Sequence, residues 1–174
     1  MSFNKETDIT DWYTDYSDAI FKYIVMMTHD YQQAEDLTHD TFVKAYQSYH
    51  SFERNSSPKT WLYRIAHNVS IDAMRKRKPL FFFKNLFPTT DPAPLPEEVI
   101  QIKESSRELY QALSQLKVTY REVIILRKIK ALSIQETADI LQWSESKVKM
   151  TLKRGLEALE EQLIKEGIGH EKTI

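Results

Sequence analysis

Lys147, Lys149, Lys153 and Arg154 stand close together near the end of the chain, with Ser144 and Ser146 just ahead of them. Cationic groups so spaced can neutralise phosphates or hydrogen-bond guanine O6 and N7. Hydroxyls at a helix start can donate to a phosphate that the helix dipole already favours. A second candidate set lies upstream. The polar run Phe52-Glu53-Arg54-Asn55-Ser56-Ser57 leads into Trp61, Arg64 and Asn68. Aromatic faces stack on unpaired bases, a guanidinium follows the backbone, and an amide reads a base edge, so this composition suits single-stranded DNA or a flipped base. Each set also has a plainer reading. The cations can form a solvated face on an ordinary helical hairpin. Trp61 and Phe52 can fill a core, leaving Arg64 and Asn68 as surface polar residues.

The elements that must carry these groups read as helices. The chain has only three glycines, fewer than a strand-and-hairpin protein needs for its turns. Trp12, Tyr16, Ala19, Ile20, Tyr23 and Met27 recur at helical steps. Asp30 with Gln33 reads as a capping box for a second helix, whose buried stripe is Leu37, Thr41, Phe42, Ala45 and Tyr49. Ser57-Pro58 starts a third helix, with Trp61, Leu62, Ile65, Ala66 and Val69 as its apolar face. This helix is expected to end by Lys78, because Pro79 disfavours helical geometry in the residue before it.

Five of the six prolines fall between positions 79 and 96, which predicts a tether, extended over 91–96. Helical patterning resumes near Glu97. Leu109, Ala112, Leu113 and Leu116 form one stripe, and Val123, Ile124, Leu126 and Ile129 the next. Ser133 with Glu136 reads as a capping box for a short helix ending at Leu141. After the turn Gln142-Trp143-Ser144, a last helix turns Val148, Leu152, Leu156 and Leu159 inward and Lys147, Lys149, Met150, Lys153 and Arg154 outward. That is a helix-turn-helix, whose second helix enters a major groove N-terminus first. The expected fold class is all-α: two small helical domains joined by a proline-bearing linker, the second ending in the helix-turn-helix. The expected boundaries are 1–78, 79–104 for the linker, and 105–174.

Bulk composition narrows the function class. A hydrophobic share of 41% supports packed cores, and a net charge of −1 argues against a generic nucleic-acid coat. The absence of cysteine removes disulfides, thiolate zinc sites and cysteine nucleophiles, and fits a reducing compartment. The first residues show no signal peptide, and the longest apolar stretch, residues 79–83, is far too short to span a bilayer. The histidines at 29, 39, 50, 67 and 170 have no zinc-motif spacing, so no metal or other cofactor is expected. No phosphate loop or nucleophile elbow points to catalysis.

The chain resembles the extracytoplasmic-function (ECF) group of bacterial sigma factors. The likeness rests on Ala34-Glu35-Asp36-Leu37-Thr38-His39-Asp40-Thr41-Phe42, on Thr60-Trp61-Leu62-Tyr63-Arg64-Ile65-Ala66-His67-Asn68 with Ile71-Asp72, and on Arg121-Glu122-Val123-Ile124 with Leu132-Ser133-Ile134-Gln135-Glu136-Thr137-Ala138. Ser146-Lys147-Val148-Lys149 with Arg154 completes it. Within the group it looks most like the Gram-positive branch that responds to cell-envelope stress. The resemblance implies a cytoplasmic, dissociable specificity subunit without an active site of its own. It implies that Asp36, Leu37, Asp40 and Phe42 mark the helix that docks on the beta-prime clamp helices of core RNA polymerase, the beta flap being a second contact. It implies that Phe52, Asn55, Ser56, Trp61, Arg64 and Asn68 melt and read the minus-10 element. Ser144, Ser146, Lys147, Lys149, Met150, Lys153 and Arg154 would read the minus-35 element as duplex. Such factors are often held by an anti-sigma factor, which would be the only link to a membrane. The family often has proline at position 117 and glycine at 131 and 142, where this chain has Lys117, Ala131 and Gln142.

Two other readings stay open on the residues. A helix-turn-helix repressor or activator would bind duplex operators without replacing the sigma subunit, though the aromatic loop would have no use on closed duplex. A non-DNA adaptor would hold a protein partner with the last helix. The run Arg75-Lys76-Arg77-Lys78 before Phe81, Phe82 and Phe83 could touch DNA backbone and dock on a protein, fold back onto the first domain, or touch anionic membrane.

Overall fold

The computed structural model describes residues 3–86 and 104–167, with side chains described over 3–77 and 106–167. The expected extended stretch at 91–96 and the resumption of helix near Glu97 lie outside the described residues. The chain divides into two compact units, Met1–Thr90 and Asp91–Ile174. Every regular element among the described residues is helical.

Among the described residues unit 1 holds three α-helices that pack pairwise, α1 (Lys5–Thr28), α2 (Tyr31–Gln47) and α3 (Pro58–Leu86), and a short 3-10 turn over Tyr49–Ser51, so that Tyr49, expected on the second helix, is buried just beyond its end. Asn4 caps α1 by accepting from Glu6 N–H at 3.0 Å. His29 closes α1 in the left-handed region at φ 55°, and α2 begins two residues later. The predicted capping box on α2 forms by half. Asp30 accepts from Gln33 N–H at 3.0 Å, but the Asp30 N–H goes to Thr28 Oγ1 at 3.3 Å. The tight left-handed turn brings the last residue of α1 within reach first. Trp12, Ile20, Tyr23 and Met27 of α1 meet Leu37, Thr41, Phe42 and Ala45 of α2 and Trp61, Leu62, Ala66 and Val69 of α3 in the core. Each large apolar side chain buried there contributes about 1.5–3 kcal/mol.

Ser57 caps α3, accepting from Thr60 N–H at 3.2 Å. The helix does not end by Lys78; it runs through Pro79 to Leu86. Proline removes one N–H and disfavours the preceding turn, a cost of about 3 kcal/mol. The carbonyl it leaves without a donor belongs to Arg75, in an exposed stretch where water can take the bond. Arg77 reaches back to Asp30, with Nη1 2.7 Å from Oδ2, and ties this stretch to the start of α2. That residue of the basic run therefore serves the fold. The side chains of Phe81, Phe82 and Phe83 lie outside those described.

Tyr63 is 1% exposed and stacks edge-on against Tyr23 at 5.4 Å, with no hydrogen-bond partner for its hydroxyl among the described residues. Burial pushes its phenol from 10.0 up to about 12. Between those values the folded state keeps a proton that the unfolded state has released. Stability from this group is therefore whole below pH 10 and falls as pH rises to about 12, by about 3 kcal/mol in all. Tyr63→Phe should remove this alkaline loss and, by deleting an unsatisfied buried hydroxyl, gain about 1 kcal/mol at neutral pH. Urea melts of both proteins at neutral pH and above pH 10 check this. A less stable Tyr63→Phe chain at neutral pH would mean that the hydroxyl has a partner.

Unit 2 holds α4 (Glu104–Ser114), α5 (Val118–Ile124), α6 (Ile134–Leu141) and α7 (Glu145–Lys165). A π turn over Ile125–Ile129 extends α5, closed by Lys130 N–H to Ile125 O at 2.8 Å. The expected inward position of Ile129 is corrected here: it is 39% exposed. The wider turn delays the helical phase and rotates Ile129 out of the stripe that Val123, Ile124 and Leu126 keep buried. Ala131 then takes φ 55°, a left-handed conformation that costs a residue with Cβ about 1–2 kcal/mol. Gln142, at φ 58°, makes the same turn after α6.

Arg121 is 8% exposed and fastens α5 to the end of α4. Its Nε donates to Leu113 O at 2.9 Å, and its Nη2 donates to Ser114 O at 3.0 Å and Leu116 O at 3.2 Å. It thereby adds a donor to Leu113 O, which also accepts from Leu116 N–H at 3.2 Å, and supplies the carbonyls of Ser114, the last residue of α4, and of Leu116 just beyond it.

Candidate nucleic-acid interface

The helix-turn-helix of unit 2 is built from local caps. Ser133 accepts from Glu136 N–H at 3.0 Å, and Glu136 Oε2 accepts from Ser133 N–H at 2.7 Å, completing the capping box of α6. Gln142-Trp143-Ser144 makes the turn, and Ser144 caps α7 by accepting from Lys147 N–H at 3.1 Å. Val148, Gly155 and Leu159 form the buried side of α7. A Cβ at Gly155 would stand 3.3 Å from Tyr120 Cβ and 3.4 Å from Ile124 Cδ1, so the missing side chain lets α7 lie close on α5. The expected inward position of Leu156 is corrected: it is 36% exposed. At about 100° per residue it falls some 80° from Val148, on the flank of the buried stripe.

Ser146, Lys147, Lys149, Met150, Lys153 and Arg154 are all exposed. On the same wheel they occupy an arc of about 160° centred opposite Val148. Ser144, exposed at the N-cap, stands at the head of this arc. Trp143 contributes a contact that a search for cations and hydroxyls passes over. The Lys147 ammonium lies 4.2 Å from its ring centroid, which restrains the first lysine of the arc. The spacing of four residues between an aromatic and a lysine was the available signal.

In unit 1 the predicted loop and helix residues are unequally presented. Trp61 is buried and Phe52 half-buried, and their rings lie 5.0 Å apart. Trp12 meets both edge-on, at 6.0 and 5.4 Å. Trp61 is thus committed to the core beneath the loop. Asn55 is exposed, its Nδ2 donating to Glu53 Oε2 at 3.1 Å, and Ser56 is half-buried. Arg64 is half-buried and Asn68 exposed on the stripe of α3 that Trp61 begins. The spacing of three and seven residues brings that stripe from the core to the surface.

The pairing of Asp36 with Asp40 leaves both carboxylates exposed one turn apart on α2. Leu37 and Phe42 do not share that surface; at 8% and 6% exposure they are spent on the core. The apolar groups that α2 does present nearby are Val43 and Tyr46, joined by Tyr13 of α1, which packs edge-on against Phe42 at 5.0 Å. These escaped the sequence reading because single exposed apolar residues carry no periodic signal. Among the described residues no cluster of histidine and carboxylate suits a metal ion, and no helix is long and apolar enough to cross a membrane.

Residues 12–79 match the family model for sigma-70 region 2, and residues 106–159 match the one for sigma-70 region 4. The chain is 41% identical over 153 residues to the ECF RNA polymerase sigma factor SigX of Bacillus subtilis (strain 168), covering 84% of this chain and 79% of that protein. It is 35% identical over 158 residues to the ECF RNA polymerase sigma factor SigW of the same organism, covering 85% and 84%. Among solved structures it is similar to the sigma factor RpoE in complex with the anti-sigma factor NepR from Bartonella quintana. The TM-score is 0.75 at 25% identity, with 90% of this chain and 96% of that one covered.

Proposed function

The chain belongs to the ECF RNA polymerase sigma factors, and on that membership we propose how its parts divide the work of starting transcription. It is a cytoplasmic subunit that binds core RNA polymerase, selects promoters and leaves the chemistry to the core enzyme. Residues 1–78 serve as region 2, with α3 carrying on from it to Leu86, and residues 105–174 as region 4, the remainder of 79–104 before α4 being the tether. Asp36 and Asp40 meet a basic surface of the polymerase, and Tyr13, Val43 and Tyr46 add apolar contact. The loop at 52–57, with Arg64 and Asn68, reads the minus-10 element as a single strand. Trp61 supports that surface from beneath. The exposed arc of α7 reads the minus-35 element in the major groove. An anti-sigma factor holds the chain inactive, as NepR is bound to RpoE in the similar structure. The regulon answers envelope stress, in keeping with the likeness to the Gram-positive branch.

The observation that carries this reading is the arc itself: a row of exposed cations on the second helix of a capped helix-turn-helix, with its apolar side buried. Run-off transcription with purified core enzyme on genomic promoter fragments tests it. The protein should produce a discrete set of new starts that share two spaced elements. Failure to co-elute with core enzyme, or an absence of new starts, would return the repressor and adaptor readings to the front.

A further inference from the structure

Arg54 sits in the loop at 52–57 in a conformation that arginine avoids. Its φ is 59°, where a Cβ crowds the following carbonyl. Something must offset that cost, and besides Phe52, whose ring centroid is 5.8 Å from the guanidinium carbon, the neighbours of its side chain come from the start of unit 1. The guanidinium carbon lies 3.5 Å from the ring centroid of Phe3, and Nη2 lies 3.5 Å from Asp8 Oδ2. The same Asp8 oxygen accepts from the Tyr49 hydroxyl, just before the loop. Phe52, at the loop entry, is gripped by Trp12 and Trp61. The loop is thus held at its entry by the core and at its middle by the residues that open α1.

Arg54 is poorly placed as a phosphate ligand in this state. One face of its guanidinium is covered by a ring and one edge is turned to a carboxylate. The residue after it, Asn55, is exposed and free of the clamp. The geometry points to Phe3 and Asp8 as positioning residues for minus-10 recognition: they fasten Arg54, and so hold 52–57 in the backbone conformation that presents Asn55 and Ser56 to an unpaired base. The inference rests on the proposed assignment of this loop to the minus-10 strand.

The test is the affinity of reconstituted holoenzyme for a fluorescent single-stranded oligonucleotide carrying the minus-10 sequence, beside one with a base change. Phe3→Ala combined with Asp8→Asn should weaken binding about 10-fold, the scale of one cation–π contact with one partly exposed ion pair. The preference for the correct base should narrow as well, while core-enzyme affinity and minus-35 duplex binding stay unchanged. Adding Arg54→Ala should cost nothing further, because the clamp is already open. Phe3→Tyr with Asp8→Glu should retain most of the affinity. Wild-type affinity and base preference in the Phe3→Ala, Asp8→Asn protein would overturn the inference. So would a large additional loss from Arg54→Ala, which would make the arginine a direct DNA ligand. If wild-type holoenzyme itself ignores the minus-10 strand, the assignment of the loop fails and the inference with it.

Discussion

Replacing Lys147, Lys149, Lys153 and Arg154 together with glutamine should lower initiation from a minus-35-bearing promoter by about 100-fold or more. These residues share the exposed arc of α7 and none supports the core. Glutamine is nearly as good a helix former as lysine, so the element should persist. Each cation at a phosphate releases counterions and gives a salt slope of about 0.9, and each good base contact carries about 1–3 kcal/mol. Four such losses outweigh the few tenths of a kcal/mol that relieved repulsion along α7 returns. The binding of holoenzyme to a minus-35 duplex, titrated with salt, should show a slope smaller by as much as about 3 to 4. Core-enzyme binding should be unaffected. Full initiation with an unchanged salt slope would show that this arc does not meet DNA.

Arg121→Met should destabilise unit 2 by about 3 kcal/mol, enough to unfold a marginal unit of this size. Two effects oppose each other. Burial disfavours the charge and pulls the guanidinium well below its ordinary value, down to about 10, so removing it returns about 3 kcal/mol. Against this stand three hydrogen bonds from a charged donor to the carbonyls of Leu113, Ser114 and Leu116. At about 1.5–3 kcal/mol each they win, and their loss takes the charged donor from the carbonyls of Ser114 and Leu116, while Leu113 O keeps the Leu116 N–H at 3.2 Å. Methionine keeps most of the stem volume, so the cost is polar rather than a cavity. Arg121→Lys should not rescue, because one ammonium cannot reproduce the planar fork. Hydrogen exchange over α4 and α5 in the full chain reads the effect. Wild-type protection in Arg121→Met would mean that other donors reach those carbonyls.

Both expectations bear on the same division between local and distant physics. The ends of α6 and the start of α7 were legible in the sequence, because a Ser133–Glu136 box and a Ser144 cap act over three residues. The exposed arc was legible for the same reason: once α7 is a helix, its period of about 3.6 decides which residues share a side. The two-domain, all-helical plan followed from apolar stripes and from prolines gathered in one segment.

Where distant contacts competed, the local reading erred. Pro79 signals a stop, but one missing donor in an exposed stretch is affordable within a long helix. Ile129 belongs to the apolar stripe by counting at 3.6, yet a π turn shifts the phase just before it. Leu37, Phe42 and Trp61 lie on apolar faces yet also have types suited to docking or stacking, and packing among α1, α2 and α3 decides for the core.

By itself, then, the sequence determined the all-helical plan, the caps at Asp30, Ser57, Ser133 and Ser144, and the chemistry available on each surface, since these depend on neighbours within a turn or two. The tertiary structure alone decided that Arg121 would serve the end of α4 and that Arg54, in a strained turn, would find Asp8 forty-six residues away. Such pairings follow from chain segments meeting in space, and no spacing along the chain announces them.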